Sequence, residues 1–213
     1  MSVSFGRSAA RRGAVLVVAA AAVLGSGVAS AAPGQGGDRS RTAKVTGSGE
    51  FRLTFYPDDD IRSFTFDAQA VPYTRPIPGY PQGMPTDARG TVKIYHWVRA
   101  NGMTIEAEAA VDCLSTSPGY AAFTAKITKT DEDTREWLGR RLGFSVQDAG
   151  RDARGRTRDR VGLSWIVSNM DQDAQGQWHE AKVGTCMAPA PFAPVTKGGF
   201  TVRHAELPEA PKS

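Results

Sequence analysis

Apolar and polar residues alternate along most of this chain, which is the pattern of β-strands that bury one face. Residues 103–113 show it most clearly, because every second residue from Met103 to Cys113 is apolar and the residues between them are mostly polar. The other alternating segments are 50–56, 61–68, 90–98, 120–128, 143–148, 160–168, a short stretch around Cys186, and 199–204. These eight or nine short strands predict an all-β fold, an antiparallel sandwich or barrel.

Two local signals complete this picture. Asn101-Gly102 stands between two alternating segments and predicts a tight hairpin turn between residues 98 and 103. Residues 130–142 predict the one short helix, since Thr130 and Asp133 have capping-box spacing and the apolar residues Trp137, Leu138 and Leu142 fall on roughly one side.

The amino-terminal segment has the three parts of a secretory signal peptide. Arg7, Arg11 and Arg12 precede an apolar run from residue 14 to residue 24, and small residues end the segment at Ala31. We therefore expect cleavage after Ala31 and a secreted, extracellular protein. Because the apolar run is shorter than the roughly 20 residues of a membrane span, and no cysteine stands near the cleavage point, the mature form is expected to have no membrane anchor.

The composition of residues 32–213 predicts a linker, one domain and a tail, and their net charge is lower than that of the whole sequence. Residues 32–44 are glycine-rich and polar and predict a flexible linker, residues 45–205 a single all-β domain, and residues 206–213 a flexible tail. Residues 1–31 contain three arginines and no acid, so 23 of the 26 Lys and Arg residues remain against 22 Asp and Glu. The nearly neutral mature chain has no overall basic charge that would indicate a nucleic-acid partner.

The two cysteines predict one disulfide. Cys113 and Cys186 are the only thiols, and outside the cytoplasm such a pair is expected to be oxidised. The alternation of strand 103–113 directs Cys113 into the core. No metal site is expected, since neither cysteine belongs to a Cys-x-x-Cys pair and the histidines stand singly; they are His96, His179 and His204.

The most unusual stretch is residues 71–90, where five prolines fall between Pro72 and Pro85. A stiff loop of this length can present side chains to a partner with a small loss of entropy. The candidate binding residues are Tyr73, Arg75, Tyr80 and Met84. The alternative is a long connection that packs over one end of a barrel and binds nothing.

Candidates for catalysis and metal binding are weaker. Glu106, Glu108 and Asp112 share a strand face, which admits a hydrolase that uses paired carboxylates but is typical of the wet face of a strand. Acidic turns at 58–60 and 171–176 suggest calcium, yet position twelve counted from Asp171 is Lys182 rather than a bidentate glutamate. We predict no cofactor.

Several phrases of the sequence resemble a family. They are SFTFDA, PQGMPTDARGTVKI, AAVDCL, RLGFSVQDAG, DRVGLSW and VGTCMAPAPFAPVTKGGF, and in this order they are similar to a group of secreted actinobacterial proteins often labelled repetin. The resemblance spans residues 45–204 and implies an exported all-β domain. It implies no activity for any residue.

The sequence therefore predicts a secreted, disulfide-stabilised β domain that acts without catalysis, by binding an extracellular macromolecule or surface through loop 71–90. Two alternatives stay open: a secreted hydrolase that uses the carboxylates of strand 103–114, and a protease inhibitor with a rigid loop clamped near the disulfide.

Overall fold

The computed structural model describes residues 42–56, 58–165 and 168–212. The signal-peptide and linker predictions fall outside these residues, apart from the linker's last three. The strands are β1 (Lys44–Phe51), β2 (Ile61–Ala70), β3 (Ala88–Val98), β4 (Met103–Ser117), β5 (Tyr120–Thr130), β6 (Arg141–Gln147), β7 (Arg160–Leu163), β8 (Met170–Gln172), β9 (Trp178–Glu180) and β10 (Ala193–Arg203). Among the described residues, no helix is long and apolar enough to span a membrane.

Eight of the strands close into an antiparallel barrel. Each strand from β1 to β6 pairs with the next along the chain, β7 pairs with β10, and β10 returns to β1. Strands β8 and β9 form a separate hairpin. The predicted all-β fold with about eight strands is confirmed, and the open choice between sandwich and barrel is settled as a barrel.

Phenylalanine rings fill the middle of the barrel. Strand β2 sends Phe64 and Phe66 inward, as its alternating burial shows. Phe66 has its ring centroid 4.9 Å from that of Phe123 and 4.8 Å from that of Phe200. Phe144 packs against Phe64 at 5.3 Å. The barrel is therefore solid at its centre, and any space for a ligand has to lie towards its ends.

The predicted helix over 130–142 is shorter than expected. Only a six-residue 3₁₀ helix forms, from Glu132 to Trp137, and its first turn has no side-chain cap. Gly139 follows with a φ of 79°, and Arg141 already begins β6. Leu142 consequently belongs to a strand, because its position in the barrel overrides a weak helix pattern.

The predicted hairpin between β3 and β4 forms with a longer turn. Residues 99–102 connect the strands, and Gly102 alone among them has a positive φ, of 70°. The side-chain oxygen of Asn101 accepts the Met103 N–H at 3.0 Å. The connection has four residues instead of the two of a tight primed turn, so the turn type inferred from Asn101-Gly102 is wrong although the hairpin is right.

Residues 183–192, here called the strap, cross the outside of the barrel. Cys186 in the strap is bonded to Cys113 in β4, 73 positions earlier, with their Cα atoms 5.3 Å apart. The strap lies directly on the sheet, since a Cβ added to Gly143 in β6 would come within 2.0 Å of the Met187 carbonyl oxygen. The predicted disulfide is confirmed, but no strand forms around Cys186.

Cys113 faces outward, contrary to the alternation of its strand. The register of β4 against β5 shifts between Val111 and Cys113, so that Cys113 stands opposite Thr124 and Leu114 opposite Phe123. Directly paired residues share a face of a sheet, and Phe123 is in the core. The bulge therefore turns Cys113 to the outer face, where the strap buries it completely.

Candidate binding site at the barrel mouth

The two ends of the barrel carry different segments. At one end, here called the mouth end, lie residues 52–56, 58–60, 99–102, 131–140, 164–165 and 168–182. At the other, here called the loop end, lie residues 71–87, 118–119, 148–159 and 204–212. The up-and-down order of the strands dictates this division.

A cavity of about 340 Å³ opens at the mouth end. Its apolar walls are side chains that continue the inward faces of the strands, and Phe64 and Phe144 from the central core lie at its inner side. Its apolar lining residues are Phe51, Leu53, Phe64, Ile94, Ile105, Ile127, Trp137, Leu142, Phe144, Leu163 and Trp165. This volume is in the range of sites for small organic molecules.

A charged network borders the cavity on one side. Arg62 follows the inward alternation of β2 and is only 7% exposed. Its two terminal nitrogens donate to the two carboxylate oxygens of Asp58 at 2.8 and 2.7 Å, and one also donates to Asp60 at 3.0 Å. His96 on β3 faces inward beside Arg62, and its Nε2 lies 2.8 Å from Asp60 Oδ2.

The network keeps both carboxylates ionised. The hydrogen bond from Arg62 lowers the pKa of Asp58 from 3.8. Burial by itself would raise the pKa of Asp60, but hydrogen bonds from His96 and from the backbone N–H of Arg99 outweigh it and lower the pKa from 3.8. Two negative charges therefore flank one guanidinium at neutral pH.

A second ion pair lies on the cavity wall. Arg140, just before β6, bonds to Glu180 in β9, and both residues line the cavity. This contact ties the β8–β9 hairpin to the barrel. Trp165 adds an aromatic wall, with the Arg62 guanidinium carbon 5.8 Å from its ring centroid.

The mouth end is acidic as a whole. Its described segments hold ten acidic residues against five basic ones, whereas those of the loop end hold six of each. The acidic residues at the mouth end are Asp58, Asp59, Asp60, Asp131, Glu132, Asp133, Glu136, Asp171, Asp173 and Glu180, and the basic ones are Arg52, Arg99, Arg135, Arg140 and Lys182.

The predicted binding loop 71–90 lies at the loop end, away from this cavity. The buried Asp87 carboxylate organises it, because one oxygen accepts the backbone N–H groups of Thr74, Arg75 and Met84 at 3.1, 2.9 and 3.0 Å. Tyr80, 55% exposed, stands at the tip of a turn closed by Ile77.

The other predicted binding residues of this loop are used within the protein. Tyr73 donates its hydroxyl to the carbonyl of Pro208 at 2.9 Å. Arg75 donates to the Asp112 carbonyl and lies 3.5 Å from Asp87. Met84 is half-buried. Of the four candidates, only Tyr80 is largely free to meet a partner.

The loop end has a hollow of its own, of about 520 Å³, between this loop and residues 204–208. Its walls include alanine, threonine and proline side chains and no Phe, Tyr or Trp ring. The mouth cavity is the better binding candidate despite its smaller volume, since aromatic walls give more apolar contact.

The three acidic residues considered for hydrolysis do not line the mouth cavity. Glu108 is paired with Lys129 at 3.2 Å on the barrel surface. Asp112 is buried and accepts bonds from Arg141 at 2.8 Å and from Thr124 at 2.5 Å. Glu106 is exposed. The arrangement pairs two of these carboxylates with cations, while catalysis of this kind needs two carboxyl groups that face one substrate.

The acidic turns use their carboxylates locally. Asp173 accepts the backbone N–H groups of Gln175 and Gln177 at 2.9 and 2.8 Å, which shapes the β8–β9 turn. Asp58 and Asp60 bond to Arg62. Within the part of the chain that the structure describes, no group of three or more His, Cys, Asp and Glu side chains is placed to hold a metal ion.

The alternating pattern contained a signal for the mouth that sequence reasoning missed. Arg62 occupies an inward position of β2, two residues before Phe64, and a charged residue at such a position needs partners. The triplet Asp58-Asp59-Asp60 lies just before it and supplies two of those partners, whereas the sequence pattern alone suggests a calcium turn there.

No protein-family model matches the chain, and no curated protein or solved structure is significantly similar to it. The resemblance to the secreted actinobacterial group is therefore neither supported nor opposed.

Proposed function

We propose that this protein is exported and acts outside the cytoplasm as a non-catalytic binding protein, which holds a small, largely apolar molecule in the mouth of its barrel. The observation that carries the proposal is the apolar cavity of about 340 Å³, with a polar network at one side and a solid phenylalanine core behind it. Barrels of eight strands have room for one small ligand where side chains leave the interior open.

Export is supported by the disulfide. Cys113 and Cys186 are joined, and bonds of this kind persist in oxidising compartments. The signal-peptide pattern of residues 1–31 agrees with this compartment. Catalysis is not part of the proposal, because the mouth presents carboxylates that are already paired with Arg62 and Arg140.

The test is binding of the neutral fluorescent probe N-phenylnaphthylamine to the purified protein with its disulfide formed. Ile105 lines the cavity, whereas its neighbour Thr104 faces the outside of the same strand. We expect Ile105→Trp, which fills the mouth, to weaken probe binding at least about tenfold. Thr104→Trp, which adds the same ring outside, should leave it unchanged. A wild-type protein that binds no probe, or two variants that bind alike, would contradict the proposal.

The second candidate function is the one predicted from the sequence, binding of an extracellular macromolecule through the loop end. The observation that favours it is the exposed pair Ile77 and Tyr80, held in a rigid turn by the Asp87 network. Sedimentation with bacterial cell-wall material tests it. The double variant Ile77→Ser, Tyr80→Ser should lose binding, whereas Tyr120→Ser, which removes another exposed tyrosine, should retain it. Equal retention by the two would remove this candidate.

A further inference from the structure

The charged side chains that line the mouth cavity are already paired within the protein. The lining includes Arg62, Arg140 and Glu180. Arg140 is bonded to Glu180, so these two charges offset each other. Arg62 donates to both carboxylate oxygens of Asp58 and to one oxygen of Asp60, at distances of 2.7, 2.8 and 3.0 Å. A ligand ion that enters the cavity therefore meets lining charges that each have an opposite charge beside them.

The two aspartates that hold Arg62 are fully engaged as well. Both oxygens of Asp58 accept from Arg62, and Oδ1 also accepts the Asp60 N–H at 3.2 Å. Asp60 accepts the Arg99 N–H on one oxygen at 2.9 Å, and its other oxygen bonds to Arg62 and to His96. Neither aspartate belongs to the cavity lining. An anion would have to displace one of them from a buried guanidinium, and a cation would have to break these bonds to reach a carboxylate.

The charge state of His96 does not alter this pairing. Its Nε2 lies 2.8 Å from Asp60 Oδ2, so a protonated ring is paired with a carboxylate and a neutral ring brings no charge. Ser164, another lining residue, uses its hydroxyl oxygen to accept the Gly143 N–H at 2.8 Å. The polar groups of the cavity thus present bonded dipoles rather than open charges.

The rest of the wall cannot replace the hydration of an ion. Most of the lining residues are apolar, and the ring of Trp165 already has the Arg62 guanidinium over it. Moving an ion from water into such a place without a partner costs far more free energy than moving a neutral polar group. A hydroxyl or carbonyl group loses less hydration and can still interact with the dipoles of the ion pairs.

We propose that the mouth selects uncharged molecules, with an aromatic or aliphatic body and only neutral polar groups such as a hydroxyl or a carbonyl, over cations and anions of the same shape. This inference rests on the proposed function, which leaves open whether the bound apolar molecule carries a charged group. It excludes long-chain carboxylates and alkylammonium ions as the preferred ligands.

The experiment compares three probes of one shape that differ in charge: naphthylethanol, naphthylethylamine and naphthylacetate. Their affinities are measured by calorimetry at neutral pH with the oxidised full domain. We expect the alcohol to bind at least about tenfold more tightly than either the ammonium or the carboxylate, because only the two ions lose their hydration without gaining an unpaired partner.

Two variants of one ion pair provide the matched control. Glu180→Gln leaves Arg140 without its carboxylate, and Arg140→Gln leaves Glu180 without its guanidinium, while both break the same contact. We expect the first to raise the affinity of the carboxylate relative to the alcohol about threefold, and the second to raise that of the amine relative to the alcohol by a similar factor. Because each affinity is compared with that of the alcohol, a general disturbance of the wall cancels. If the two variants changed both ratios alike, the pairing of charges would not govern selection and the inference would fail.

The outcomes separate the two proposals. If N-phenylnaphthylamine binds but the alcohol binds no more tightly than either ion, the selection of uncharged molecules is wrong while the mouth remains a binding site. If neither N-phenylnaphthylamine nor the alcohol binds, the proposed function itself is wrong and this inference falls with it.

Discussion

The two ends of this barrel use aspartate for different purposes. At the loop end, the carboxylates of Asp87, Asp148 and Asp159 accept backbone N–H groups, and they hold loops and strand ends in place. At the mouth end, Asp58 and Asp60 bind the side chains of Arg62 and His96 beside a cavity. Bonds to the backbone shape the chain, whereas bonds between charged side chains at a cavity leave a field that a ligand can sense.

The prediction with the largest expected effect concerns the disulfide that attaches the strap to the barrel. Cys113→Ser combined with Cys186→Ser should lower the free energy of unfolding by about 4 kcal/mol, because the disulfide closes a loop of 73 positions. Urea unfolding measures this loss. Hydrogen exchange should become faster in the β8–β9 hairpin, which the strap connects to β10, while the amides of Thr74 and Arg75 keep their protection. If hydrogen exchange became faster to the same extent at both ends, the conclusion that the disulfide stabilises mainly the mouth end would be contradicted.

The next prediction concerns the hydrogen bonds of Asp87 at the loop end. Asp87→Ala leaves three backbone N–H groups without their acceptor in a buried place, and we expect a loss of about 3 kcal/mol of unfolding free energy. Asp148→Ala is the control at the same end, since Asp148 accepts one such group, from Val202 at 3.0 Å, and should cost about 1 kcal/mol. Probe binding at the mouth should survive both changes. A loss of binding in Asp87→Ala at temperatures where it is folded would show that the ends are coupled.

A smaller effect is expected from two glycines of the same loop. Gly83 and Gly79 have nearly equal φ values, 81° and 82°, so alanine is strained at both by about 1 kcal/mol. A Cβ on Gly83 would also lie 2.5 Å from the Asp87 carboxylate, whereas a Cβ on Gly79 meets nothing within 4 Å. Thermal unfolding should therefore show a greater loss for Gly83→Ala than for Gly79→Ala. Equal losses would mean that the loop shifts without disturbing Asp87.

The smallest effect concerns pH at the mouth. The pKa values of Asp58 and Asp60 are lower in the folded protein than the unfolded value of 3.8, so the unfolded chain takes up protons first as the pH falls. Their contribution to stability is complete above pH 3.8 and is lost below it as the folded pKa values are passed. Urea unfolding of the wild type and of Arg62→Met should differ in slope in this acid range, with the steeper dependence in the wild type. Identical slopes would show that Arg62 does not set these pKa values.

The barrel was predictable because period-two alternation reports directly which residues face a core. Strands β2, β3 and β5 lie where the alternating segments predicted them, and the disulfide partners followed from compartment and number. The helix over 130–142 and the strand at Cys186 were wrong, because short patterns are weak evidence when tertiary contacts compete with them.

The candidate site was less predictable than the fold. The sequence predicted binding in loop 71–90 because that loop contains five prolines. In the structure, Arg75 and Tyr73 of this loop make hydrogen bonds within the protein. The mouth gathers Arg62, His96, Trp137, Trp165 and Glu180 from separate parts of the chain. No short sequence motif predicts this group of lining residues, because they come into contact only when the barrel closes.

By itself, the sequence determined an all-β domain, its main strands and one disulfide, since these depend on periodicity and on the count of thiols. Tertiary structure alone decided that the sheet closes, that a bulge turns Cys113 outward beneath the strap, and that one end stays open. The physical reason is that strand alternation is a local property, whereas closure, register shifts and cavities depend on how all eight strands meet.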